Sequence, residues 1–289
     1  MDAEPRLGIA VLNGYPRKSR QNFDRTGVGH PHDFFRDFLK RHLPSAAVET
    51  WFVADPDQDL PEGAALADYA GFIWTGSDLT IYHDEDSRVT RQIALARDIF
   101  EAGVPSCGSC WGIQMAAVAA GGTVAKNPKG REWCIARDIR LTPEGRRSPL
   151  MAGKPECFDG FIMHLDEVTR LPPGATLLAT GDHTRVQALE VNHGKGTFWA
   201  TQYHPEFNLK EMARLIAARA TPLTQEGFFA REEEVAAFAA RLEALHADSR
   251  SAVLREELQI GDDILDPTIR EQELRNWIDR LVLPAVGKR

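Results

Sequence analysis

Apolar residues fall first into short unbroken runs and only later into helically spaced positions. Residues 7–12 (LGIAVL) form a run halted by Asn13-Gly14-Tyr15-Pro16, which is the pattern of a buried parallel strand. The polar stretch 17–31 predicts a loop, and residues 32–39, with phenylalanines on one side, predict an amphipathic helix. Residues 48–53 and 70–74 predict the next two strands, the second ending at the turn Thr75-Gly76-Ser77. Helical spacing runs from 90 to 102 through Ile93, Ala96, Ile99 and Phe100, and Gly103 is its stop. A further strand, 104–107, leads to a helix over 111–120. Strands alternating with helices of this length predict an α/β fold with a doubly wound, mainly parallel sheet. Its functional loops gather at the carboxyl edge of the strands.

From residue 123 to about 200 the helices disappear. Segments 134–141, 175–179, 186–191 and 197–202 read as strands of a small antiparallel extension, with His193-Gly194-Lys195-Gly196 as a hairpin turn. Leu209, Met212, Leu215 and Ile216 then keep one helix face apolar until Thr221-Pro222. Val235, Phe238, Leu242 and Leu245 repeat at helical spacing, as do Leu274, Trp277, Ile278 and Leu281. Asp266-Pro267 is a fitting N-cap and first-turn pair for a final helix. The expected division is a catalytic domain over 1–220 and a helical C-terminal extension over 221–289.

Composition narrows the class. With 289 residues, 43% apolar and 26% charged, the chain reads as an ordinary globular protein with a sizeable core. A net charge of −8 with no basic stripe argues against nucleic-acid binding. No run is long and apolar enough for a membrane span. The opening Met1–Arg6 segment lacks the features of a signal peptide, so the expectation is a cytoplasmic protein. Four cysteines make no disulfide framework in a chain this long, and one CxxC without a second cannot complete a zinc site. Cys107, Cys134 and Cys157 are expected to pack as small apolar groups. His30, His32 and His83-Asp84-Glu85-Asp86 are read as solvated polar clusters, so no metal and no cofactor is expected.

The chemistry concentrates in two places. Cys107-Gly108-Ser109-Cys110-Trp111-Gly112-Ile113-Gln114 sets Cys110 in a Gly-x-Cys-x-Gly frame between a strand and a helix. Such a nucleophile elbow tolerates little bulk and aims the first helix N–H groups at a forming oxyanion. Later comes Tyr203-His204-Pro205-Glu206, supplying a base for the thiol and a carboxylate to orient the base. A thiol at a helix start beside an imidazole is poised for ionisation. The blander readings are a buried structural thiol, a core histidine and a solvated carboxylate, and they suit each residue better in isolation than all three together.

Those residues resemble the class I (triad) glutamine amidotransferases, which hydrolyse the side-chain amide of glutamine. Residues 72–77 (FIWTGS) stand where that family has a strand ending in its oxyanion loop, and residues 163–168 (MHLDEV) are similar to its His-Gly-Asp-x-Val segment. The resemblance covers about 7–220 and implies a flavodoxin-like fold. It also implies Cys110, His204 and Glu206 as a triad, and backbone N–H groups of Gly76 and Trp111 as an oxyanion hole. Gln114 either contacts substrate or packs the helix; His164 and Asp166 either approach substrate or organise their loop. Two departures bear on substrate. The loop reads Gly76-Ser77-Asp78 instead of Gly-Gly-Pro, as in free-standing γ-glutamyl-cleaving branches, and Leu165 replaces a glycine at the pocket. The expected substrate is a γ-glutamyl amide, glutamine or a larger compound. The expected partners are an ammonia-accepting synthase subunit or, for a free-standing hydrolase, none; a homo-oligomer stays open. A binding or redox protein using Cys107 and Cys110 is the reading from another class.

Overall fold

The computed structural model describes residues 7–61 and 63–287; the Met1–Arg6 segment read above for a leader lies outside the described residues. The chain begins β1 (Gly8–Leu12), α1 (Arg17–Thr26), α2 (Pro31–His42), β2 (Ala47–Trp51), β3 (Gly71–Trp74), α3 (Ser87–Ala102), β4 (Ser106–Ser109) and α4 (Trp111–Ala119). A run of strands follows: β5 (Thr123–Lys126), β6 (Glu132–Leu141), β7 (Cys157–His164), β8 (Asp166–Arg170), β9 (Ala175–Thr180), β10 (Ala188–His193) and β11 (Gly196–Thr201). Helices close the chain: α5 (Leu209–Ala217), α6 (Ala220–Gln225), α7 (Glu232–Ala247), α8 (Ala252–Leu258), α9 (Asp262–Leu265), α10 (Pro267–Arg270), α11 (Gln272–Trp277) and, after a π-turn, α12 (Leu283–Val286).

One sheet of nine strands carries the molecule, in the order β2-β1-β3-β4-β11-β10-β9-β6-β7. The run β2-β1-β3-β4-β11 is parallel, and the strands beyond β11 pair antiparallel. Alternation along β1 and β3 separates two cores. Ala10, Leu12, Phe72 and Trp74 face α3 and α4, while Ile9, Val11 and Ile73 face α2 and the C-terminal helices. Helices on both faces make the sheet doubly wound, as expected. β4 enters at the centre and β11 lies beside it, so the segments carrying Cys110 and His204 leave the sheet at neighbouring carboxyl ends.

Several elements differ from expectation. Residues 17–26 are helical and not a loop; Phe23 is the buried residue of α1, too little to register as periodicity, and Gly27 closes the helix at φ 71°. β7 was missed because Asp159 and Gly160 interrupt its apolar run. Gly160 is there because a Cβ would stand 3.0 Å from Tyr203. Cys157 is exposed, its Sγ 3.5 Å from Asp138 Oδ1, unlike the buried Cys107 and Cys134. Asp266 does cap a helix, accepting from the Thr268 N–H at 2.7 Å, but that helix is only α10. It breaks at Glu271, whose buried carboxylate is gripped by Arg41 at 2.8 and 2.9 Å. The C-terminal helices bury Leu274, Trp277, Ile278 and Val282 in the core that contains β1. Lys154 and Glu273, each 1% exposed in its side chain, pair at 3.1 Å beneath them, and Tyr203 donates its hydroxyl to Glu273.

Candidate active site

Cys110 occupies the turn between β4 and α4 with φ 54° and ψ −93°, a conformation that non-glycine residues seldom hold. Its surroundings enforce it. The Cys110 N–H donates to the Thr201 carbonyl at 2.8 Å, which ties the turn to β11. A Cβ on Gly108 would lie 2.8 Å from Trp74 Cβ and 2.9 Å from the Trp74 carbonyl oxygen, so the turn is pressed against the end of β3. Gly108→Ala should therefore cost about 1–3 kcal/mol. Urea unfolding of both proteins measures it, and an unchanged midpoint would show slack in the turn.

His204 approaches from the end of β11, its N–H donating to the Phe161 carbonyl at 2.7 Å and its ring stacked on Phe207 at 4.3 Å. Nδ1 lies 2.8 Å from Glu206 Oε1, which also accepts the Ser109 hydroxyl at 2.7 Å. All three side chains are buried. Burial alone would push the imidazole pKa down. The charge of Glu206 and its hydrogen bond, with Cys110 close by, outweigh burial and raise it to about 10. Glu206 and burial thus act on the ring in opposite directions, and the balance favours its protonated form. Cys107, one turn of backbone earlier, is different: burial, with the Glu206 charge adding, pushes its thiol well up.

The backbone N–H groups of Gly76 and Trp111 donate no hydrogen bond among the described residues. A Cβ on Gly76 would meet the Tyr15 hydroxyl at 3.1 Å and His204 Cε1 at 3.3 Å, so this loop borders the His204 ring. Ser77 fixes it, donating its hydroxyl to the Gly14 carbonyl at 2.8 Å.

A cavity of about 300 Å³ opens at Cys110, and Trp111, Gln114, His164, Leu165 and Asp166 all line it. Gln114 donates to the Asp166 carbonyl at 3.1 Å, and His164 Nδ1 reaches the same oxygen at 2.8 Å. Both therefore hold the loop that carries Leu165. His164 Nε2 pairs with Glu132 Oε2 at 3.0 Å. Burial pushes the Glu132 carboxyl up, and His164 beside it more than compensates, leaving it below its usual range. Asp78, read above within the variant loop, lines the cavity as well; sequence reasoning missed Arg131 and Arg219 of its lining, and Ser109, Phe207 and Glu132 around the paired groups. Ser109 was visible within the elbow, whereas nothing in the residues around Arg219 points to a site.

Among the described residues no cluster of three or more His, Cys, Asp or Glu is placed to hold a metal, and no helix is long and apolar enough to cross a membrane.

The family model described as glutamine amidotransferase class-I matches residues 77–220. A γ-glutamyl-L-1-hydroxyisopropylamide hydrolase from a Pseudomonas species is 33% identical, aligned over 98% of this chain and 96% of its own. A γ-glutamyl peptidase from Arabidopsis thaliana is 30% identical over 53% of this chain and 59% of its own. A GMP synthase from Leifsonia xyli is 32% identical over 51% of this chain but only 28% of its own length. Among solved structures, a glutamine amidotransferase from Thermotoga maritima shares the fold at a TM-score of 0.64 and 18% identity, covering 96% of this chain and 99% of its own. A matching domain model and a relative aligned almost end to end place the chain in the class-I glutamine amidotransferase family.

Proposed function

We propose that this protein is a free-standing hydrolase of γ-glutamyl amides, with Cys110 as nucleophile, His204 as acid–base and Glu206 as its orienting carboxylate. The observation that carries the reading is the alignment with the Pseudomonas γ-glutamyl amide hydrolase, which runs through the C-terminal helices as well as the catalytic region. In this reaction Cys110 passes its proton to the neutral His204 ring and the resulting Sγ anion attacks the γ-carbonyl carbon, whose C=O π pair moves onto oxygen. The oxyanion forms between the free N–H groups of Gly76 and Trp111. The C–N bond breaks as the His204 cation gives its proton to the leaving amine. Water, deprotonated by the neutral ring, then attacks the γ-glutamyl thioester; glutamate leaves and the thiol is restored.

A second reading, ammonia delivery from glutamine to a synthase subunit, is favoured by the GMP synthase relatives. Glutamate release from glutamine and from a series of γ-glutamyl alkylamides separates the two. Hydrolysis is expected to prefer the alkylamides. Leu165 lines the cavity, and a leucine there takes up space that a glycine would leave to substrate. Leu165→Gly should raise kcat/KM for glutamine by about tenfold, the equivalent of about 1.4 kcal/mol. Efficient glutamine turnover by the unmodified chain, indifferent to Leu165→Gly, would overturn the preference.

A further inference from the structure

The cavity at Cys110 is lined by two arginines, and among the described residues one of them has no hydrogen bond or ion pair through its side chain. Arg131 is bound on both its Nε and Nη2 by Glu226, at 2.7 and 2.8 Å. Arg219 has no such partner: its guanidinium makes no hydrogen bond or ion pair among the described residues, although the chain carries a net charge of −8. Its backbone is nonetheless held. The N–H donates to the Ile216 carbonyl at 3.0 Å and the carbonyl accepts from Leu223 at 3.0 Å, fixing the link between α5 and α6. A half-buried arginine with a fixed anchor and a free planar fork is arranged to bind a carboxylate in two-point fashion.

Arg219 also stands on a shared wall. A second hollow of about 370 Å³ lies over α1 with Lys18 and Arg25 in its lining, and Arg219 and Asp78 border both spaces. Asp78, too, makes no hydrogen bond or ion pair among the described residues. The two free charges at the mouth of the reaction pocket are thus of opposite sign. Resting on the γ-glutamyl reading above, we propose that Arg219 recognises a carboxylate of the substrate. The favoured source is the α-carboxylate of the glutamyl group. That group alone also carries a free ammonium for Asp78, because the nitrogen of an amino-acid leaving group is acylated. The other source of the same chemistry is a carboxylate on the leaving amine, which would extend toward Lys18 and Arg25. The substrate class is then a γ-glutamyl amide with an unblocked α-carbon, and the protein rejects amides blocked there.

Three compounds test this with wild type, Arg219→Gln and Arg219→Lys: γ-glutamyl anilide, its α-carboxamide analogue, and γ-glutamylglycine. Arg219→Gln should lower kcat/KM for the anilide by about tenfold or more, chiefly through KM, the loss expected for a hydrogen bond to a charged group. It should leave the α-carboxamide analogue unchanged, and Arg219→Lys should recover part of the loss. A loss confined to γ-glutamylglycine would keep the role and assign the carboxylate to the leaving amine. Equal loss on all three compounds, or none on any, would overturn the proposal. Alkylation supplies a readout independent of turnover. Arg219→Gln should slow labelling of Cys110 by a glutamine-like electrophile and leave labelling by iodoacetamide unchanged; equal rates in both proteins would also overturn it. Wild type that cleaves none of the compounds refutes the γ-glutamyl reading itself, whereas turnover indifferent to Arg219 refutes only this inference.

Discussion

His204→Ala should lower kcat for a γ-glutamyl amide by about 10⁴-fold or more, and Cys110→Ala by at least as much. The double variant should be scarcely worse than either, because the two groups act as one unit. The geometry supplies the reason. In the proposed mechanism the buried imidazole takes the thiol proton and returns it to the leaving amine, and Glu206 favours the protonated ring that lies between those two steps. Without it the thiol has no base, and the amine must leave without its proton. Removing Cys110 leaves the N–H groups of Gly76 and Trp111 intact with no nucleophile to serve, so only slow attack by water remains. Glutamate release under saturating substrate, with unfolding curves to show that each variant is folded, gives the comparison. A His204→Ala protein within about tenfold of wild type would remove His204 from the mechanism. In parallel, a glutamine-like electrophile should label Cys110 before Cys107, Cys134 and Cys157, even though Cys157 is the exposed cysteine.

The positions that meet in the site were legible where chemistry and backbone geometry coincide in a few neighbouring residues. Gly108 and Gly112 announced a turn with no room for side chains, and Trp74 is what fills that room. His204-Pro205-Glu206 announced a paired ring and carboxylate, and the pair lies at 2.8 Å. Gly103, read as a helix stop, has φ 71°. Long-range pairing left weaker traces. α1 has a single buried side chain, Phe23, so its periodicity is almost silent. β7 hides because Gly160 belongs to the packing of Tyr203 and not to any local rule. The interruption at Glu271 coincides with a carboxylate held by Arg41, a partner far away in sequence that no local pattern reveals. Arg219 was invisible for a related reason. A lone arginine in a helical link signals nothing until the fold shows that its neighbour Glu226 already belongs to Arg131.

Glu206→Gln is the second large effect, and its sign follows from what holds the proton on His204. Burial, the strongest influence, drives the ring toward neutrality. The Glu206 charge and hydrogen bond act in the opposite direction, with Cys110 adding to them. Substituting the amide removes the Glu206 charge and leaves burial untouched, so the ring pKa must fall. Glu206 Oε1 also anchors Ser109, so the isosteric amide keeps the packing while changing the electrostatics. Turnover at neutral pH should drop by roughly 10²- to 10⁴-fold, with the ring still present but its cation unsupported. Stability should respond as well. A histidine raised from 6.5 to about 10 in the folded protein adds stability that is complete below pH 6.5 and is lost as pH rises through about 10. Wild type should therefore lose urea resistance between pH 7 and 10 more steeply than Glu206→Gln, in which that contribution is absent. Parallel stability profiles in the two proteins, together with an unchanged pH dependence of Cys110 alkylation, would show that Glu206 does not govern the protonation of His204.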